Sequence, residues 1–306
     1  MSRNVFFIGL IVAASGLVSP PIALLGGLLF GFSFLHPFHL EARKLARILL
    51  QASVVGLGFG MDLRQVLLVG RSGLVYTAGS IAIAMMLGWG LGKLLSVGKR
   101  VSFLISVGTS ICGGSAIAAV APITNASEEE IGVSLGTVFL LNSIALFAFP
   151  LIGTLLHMSQ PQFGLWAALA IHDTSSVVGA TAKFGAMALT VGTTVKLARA
   201  LWIVPMSIAT SACNKSKARI QWPWFIALFC LAAVANTYLP LFQVVYPTCK
   251  HLGVIGLTVT LYLIGSGISM KTLREVGVRP LLQGVLLWVL VAAGSLELIL
   301  RGWIRL

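Results

Sequence analysis

Residues 169–182 read LAIHDTSSVVGATA, and residues 109–122 read TSICGGSAIAAVAP. Aligned, they place Ile111 over Ile171 and Ser115 over Ser175. The likeness resumes from GVSLGTV at 132–138 to ALTVGTTV at 188–195 and ends at Pro150 and Pro205. Each copy is a polar, glycine- or serine-rich interruption inside an apolar run, followed by one long helical pattern. An unpaired backbone group in hydrocarbon costs several kcal/mol, so such breaks survive where they line a cavity or a ligand. Two interrupted spans in related halves of a chain mark the binding site of a secondary transporter. The plainer reading is that Gly113, Gly114 and Ser115 let two helices pack closely.

The surroundings of these breaks support a bilayer setting. The 306 residues are 58% hydrophobic and 9% charged, with mean hydropathy +0.99, whereas soluble domains carry about 25% charged residues. Crossing a bilayer takes roughly 20 apolar residues. The sequence predicts eleven spans: 5–19, 22–35, 46–61, 73–95, 101–122, 131–157, 163–183, 186–212, 222–241, 252–270 and 281–300. The expected fold is an all-α polytopic membrane protein of one domain, 1–306. Its repeat-related parts are 43–157 and 161–300, and its broken helices lie near 101–122 and 163–183. A second echo pairs GFGMDLRQVLLVGRSGL at 58–74 with GSGISMKTLREVGVRPL at 265–281, on loops predicted to face opposite sides, as an inverted repeat requires. The 109/169 pair keeps one orientation in this topology, which a simple inverted repeat does not explain.

The net charge of +13 reports orientation rather than nucleic acid, because the basic residues sit in short loops between spans. With the amino terminus in the cytoplasm, thirteen Lys and Arg fall on that side and six on the other. Cys112, Cys213, Cys230 and Cys249 form no CxxC pair and no zinc spacing; no metal or cofactor is implied. Glu128, Glu129 and Glu130 read as a solvated helix start. Glu297 is placed to pair with Arg301 at i+4. Gly88, Gly90 and Gly92, and Gly27 with Gly31, read as close helix packing. Gln51 stands as a lone polar side chain in its span.

Candidate functional residues gather at the breaks. A carboxylate at bilayer depth marks a relay, an ion site or a salt bridge, and His172 beside Asp173 titrates near neutrality; the pair is suited to carry a coupling proton. Lys196 and Arg199, spaced i, i+3, share a helix face. Leu201–Ala212, about 18 Å of helix at 1.5 Å per residue, separates them from the next basic loop and prevents snorkelling. They must pair internally or hold an anion, and Asp173 can neutralise only one of them. In the echo they fall over Phe139 and Asn142. Ser110, Cys112, Gly113, Gly114 and Ser115 in one break, and Thr174, Ser175 and Ser176 in the other, offer hydroxyls and free helix-start N–H groups to an oxyanion.

GTSICGGSAIAAVAP at 108–122 with Glu128–Glu130 shortly after, GLWAALAIHDTSSVVGA at 164–180 and VKLARALWIVP at 195–205 together resemble the bacterial sulfate-exporter (YeiH-type) membrane proteins. That resemblance covers nearly the whole chain. It implies kinship with cation/proton antiporters and bile-acid-type transporters, with inverted repeats and two crossed, interrupted helices. It also implies a small inorganic anion, sulfate or a related sulfur oxyanion, as substrate and the bacterial inner membrane as location. The rivals are a passive anion channel and a membrane enzyme using Cys112 and His172 as nucleophile and base. Asp173 adjoins His172 in sequence and is poorly placed to orient its ring, and no HExxH or GxSxG signature is present. A homodimer is compatible with the sequence, which carries no direct sign of it.

Overall fold

The computed structural model describes residues 2–34, 36–214, 224–239, 243–267 and 277–304. Among them the chain is all-helical, with no strand. The helices of the described residues are α1 Ser2–Ala14, α2 Pro20–Ser33, α3 His39–Gly58, α4 Leu63–Leu94, α5 Lys99–Ser110, α6 Gly114–Val120, α7 Glu128–Leu155, α8 Gln160–Ala170, α9 Thr174–Phe184, α10 Ala186–Ala200, α11 Ile203–Asn214, α12 Trp224–Tyr238, α13 Tyr246–Ser266 and α14 Val278–Leu300. Contacts divide the chain into two compact units, residues 1–68 with 223–270, and residues 69–222 with 271–306.

In the first unit α13 packs against α2 and α3, and glycines set the spacing. A Cβ on Gly56 would stand 2.9 Å from the Cys249 carbonyl oxygen and 3.1 Å from the Gly253 Cα, so the α3 and α13 backbones approach directly. Gly27 meets the α13 backbone the same way, its missing Cβ 2.3 Å from the Tyr262 carbonyl oxygen. The Tyr262 hydroxyl, buried among Phe6 and Phe30, donates to the Phe6 carbonyl at 3.0 Å.

The second unit contains both sequence breaks, with α8 packed on α10 and α5 on α7. The acidic run opens α7 through a capping box, Ser127 and Glu130 each satisfying the other's backbone N–H. Gly88 and Gly92 are close-packed against Ser106 and Ser102, whereas Gly90 faces open space. Glu297 accepts from Arg301 Nε at 2.5 Å on the protein surface.

Among the described residues five helical stretches are long and apolar enough to cross a membrane: 66–94, 129–155, 186–214 with a turn at 201–202, 246–266 and 278–300. The shorter apolar helices Ser2–Ala14, Ile22–Ser33 and Trp224–Tyr238 accompany them. Two of the expected spans, 101–122 and 163–183, are each split into two helices of at most 12 residues, each too short on its own for the roughly 20 a crossing needs. The second copy of the Gly-x-Gly echo, from 268 to 276, and the basic loop at 215–219 lie outside the described residues.

Candidate functional site

The first break is set by Gly113. Helix α5 ends at Ser110, Ile111 leaves the helical region, and Gly113 takes φ +64°, ψ −128° before α6 restarts. Side-chain-bearing residues rarely adopt that conformation. Glycine is required there for space as well: a Cβ on Gly113 would lie 3.2 Å from the Asp173 Cβ and 3.3 Å from Val138 Cγ1. The two breaks, about sixty residues apart in sequence, therefore touch.

In the second break Ile171 and Asp173 are extended, and Asp173 caps α9. Its Oδ1 accepts from the Ser176 N–H at 3.0 Å and from the Ser175 hydroxyl, and its Oδ2 accepts from the Ser176 hydroxyl at 2.6 Å. One carboxylate thus takes the helix-start N–H and both serine hydroxyls.

A helix that stops inside a protein leaves its last four carbonyls without helical partners, and here side chains supply them. Lys196 Nζ donates to the Ile171 carbonyl at 2.7 Å and the Ala168 carbonyl at 3.4 Å. Arg199 Nε donates to the Ser110 carbonyl at 2.5 Å, Nη2 to Thr109 at 3.5 Å, and Nη1 to Ala168 at 3.3 Å and to Leu169. The Trp288 indole N–H donates to the Ala170 carbonyl at 3.1 Å. Both cations are 0% exposed. Their charge faces the negative dipole ends of α5 and α8 together, which ties the two broken segments through α10.

Beside this satisfied layer stands a second set of polar atoms. His172 donates its backbone N–H to Asn142 Oδ1 at 3.1 Å. Asn142 Nδ2 and the Thr109 hydroxyl, both at a break, are buried with no hydrogen-bond partner. Buried polar atoms are paired in the great majority of cases, so these two mark a place suited to a polar ligand.

The structure brings Ser110, Cys112, Gly113, His172, Asp173, Thr174, Ser175, Ser176, Lys196 and Arg199 into one buried region. It leaves Gly114 partly accessible and Ser115 exposed, because α6 carries them away from the contact. Two expectations differ in detail. Asp173 is held by Ser175 and Ser176 rather than by Lys196 or Arg199, since the nearest donors to an N-cap carboxylate are those of its own helix start. Lys196 and Arg199 direct their donors at backbone carbonyls, which the two helix breaks leave without helical partners. The Ser110 hydroxyl bonds back to the Val107 carbonyl at 3.2 Å.

Two participants lay outside the sequence reading. Asn142 carried a signal, because Arg199 falls over it in the echo: this aligned pair on α7 and α10 both reach a break. Trp288 carried only the general need of a buried indole N–H for a partner.

Apolar helices of spanning length, with titratable groups buried between interrupted segments, define a multi-pass helical membrane protein. Within that class the chain belongs to the family described as Conserved hypothetical protein 698, which it matches over residues 5–284; curated relatives carry the name UPF0324 membrane protein. The relative from Bacteroides thetaiotaomicron is 50% identical over 291 residues, 94% of this chain and 88% of its own length. One from Porphyromonas gingivalis is 50% identical over 289 residues, 92% and 87% of the two chains, and one from Geobacter sulfurreducens is 45% identical over 303 residues, 99% and 98%. No solved structure matches the chain.

Proposed function

We propose that the protein is a secondary transporter, an exporter, of a small inorganic anion, and that its site lies where the two breaks meet. The observation that carries this reading is the contact of Gly113 with Asp173 beside two fully buried cations. Lys196 and Arg199 outweigh the single carboxylate, so the region has an excess positive charge, which an anion would balance. The unpartnered Asn142 amide adds a neutral donor. Sulfate or a related sulfur oxyanion is the substrate class on family resemblance, and His172 with Asp173 the carriers of a coupling proton.

The same reading extends to the finer architecture. It holds eleven spans, repeat-related halves, kinship with the antiporter superfamily and a crossing of the broken helices near the bilayer midplane. It places the protein in the bacterial inner membrane, amino terminus in the cytoplasm by the distribution of Lys and Arg, with a homodimer as the simplest assembly. It assigns transport and no enzymatic step.

The test is flux in proteoliposomes, with the pH set independently on each side and a panel of inorganic oxyanions and small carboxylates. Saturable transport of one anion class that responds to the pH gradient is expected. Non-saturable flux indifferent to the gradient would replace the transporter by a channel. Ligand-induced thermal stabilisation unchanged in both Lys196→Ala and Arg199→Ala would remove these residues from the site.

A further inference from the structure

The α9 start already has an anion on it. The Ser176 N–H and the hydroxyls of Ser175 and Ser176 all converge on the two carboxylate oxygens of Asp173. That donor set, a helix-start N–H with two hydroxyls, is the kind that receives the oxygens of a free oxyanion. A second observation independently points to a ligand beside it. The Asn142 side chain, 3% exposed, holds an amide nitrogen without a partner, and its oxygen fixes it at this break through the His172 N–H.

Resting on the anion-transport reading, we propose that the Asp173 carboxylate is a tethered stand-in for the transported anion. The free oxyanion takes its place on Ser175 and Ser176, and Asp173 leaves as the neutral acid.

Charge decides that the proton must come with the anion. Lys196 from α10 and Cys112 from the opposite break are in electrostatic reach of Asp173; Arg199 shares the Lys196 face of α10, and His172 is the neighbour of Asp173 in sequence. With Lys196 and Arg199 as cations and Asp173 ionised, a sulfate dianion leaves the region net negative. With Asp173 protonated, the same dianion brings it to neutrality. Like charges confined at low dielectric repel strongly, so anion binding and protonation of Asp173 favour each other, and by reciprocity each raises the affinity for the other. The proton moves from solution to an Asp173 oxygen, and no other bond is made or broken. Anion and proton then occupy the site together and cross in the same direction. Coupling is co-transport rather than exchange.

The measurement is proton uptake when sodium sulfate is added to the detergent-purified protein in weakly buffered solution, followed with a pH dye and referenced to sodium gluconate. Alongside it runs sulfate affinity from pH 5 to 8 for the parental protein, Asp173→Asn and, as a control at an exposed carboxylate, Glu297→Gln. Asparagine is also a good helix cap, so Asp173→Asn preserves the α9 start. The parental protein is expected to take up about one proton per sulfate bound and to lose about tenfold in affinity per pH unit toward alkaline pH. Asp173→Asn should take up none and bind with an affinity indifferent to pH, and Glu297→Gln should still take up the proton. Sulfate binding by the parental protein without proton uptake overturns the proposal, as does uptake that persists in Asp173→Asn or vanishes in Glu297→Gln. If no protein binds sulfate at any pH, the sulfate-site reading itself fails, and this proposal with it.

Discussion

Replacing Arg199 by methionine keeps the length and apolar stem of the side chain and removes the guanidinium. In the structure that group reaches four carbonyls, Thr109, Ser110, Ala168 and Leu169, on the ends of two helices. Ala168 keeps Lys196 Nζ, so three carbonyls lose their donor; a buried acceptor left unpaired costs about 1–3 kcal/mol, and three set an upper range of roughly 3–9 kcal/mol. Part of this is offset, because the variant no longer buries an ion, itself a penalty of several kcal/mol. The net loss expected is about 3–5 kcal/mol, near the value for breaking a buried charge pair. At about 2 °C per kcal/mol for a chain of this size, the melting temperature in mild detergent should fall by ~5–10 °C. Arg199→Lys should fall by about half as much, because one ammonium replaces a planar fork and cannot reach both helix ends. Arg301→Ala is the control: its partner Glu297 is close, but the two side chains are 63% and 58% exposed, so the change should stay under about 0.5 kcal/mol. The assay is loss of the monodisperse peak after heating, read by size-exclusion chromatography. If Arg199→Met melts within about 1 °C of the parent, less than about 1 kcal/mol, the guanidinium does not hold the broken helices together and the reasoning is refuted.

Gly113→Ala should cost about 1–3 kcal/mol from its left-handed backbone alone and push on Asp173 3.2 Å away; transport at the parental rate by a stable Gly113→Ala protein would deny the contact between the breaks. His36, in the α2–α3 loop, supplies a pH dependence. Its Nδ1 accepts from the Phe38 N–H at 3.0 Å while its Nε2 meets the Ser266 hydroxyl at 3.1 Å, an arrangement that requires a neutral ring. Burial, then His39, hold its pKa below the usual 6.5, partly opposed by Glu41. The unfolded chain therefore takes up the proton first, so this contribution to stability is full above pH 6.5 and is lost as the pH falls below it. His36→Gln should flatten the melting temperature between pH 5 and 7, and an unchanged slope would assign it to other groups.

The sequence by itself determined that this is a polytopic helical membrane chain, because an apolar content of 58% with 9% charge cannot be reconciled with a water-facing surface. It also located the interruptions at Gly113 and Asp173, since glycine pairs and a polar run inside apolar helices are local signals, and it set the Lys196–Arg199 pair on one face by the 3.6 period. Tertiary structure decided what those residues touch. That Arg199 bridges Ser110 and Leu169 and that Trp288 closes the last carbonyl of α8 depend on contacts across 30 to 118 residues of chain, between atoms whose hydrogen bonds have no periodicity to read; that Asp173 turns to its own serines is local, but only the fold withholds the cations from it. Asn142 stands between the two regimes. The echo set it opposite Arg199, but only the packing of α7 on α9 gave it the His172 N–H, because a backbone donor freed by a helix break takes whichever acceptor the fold brings to it.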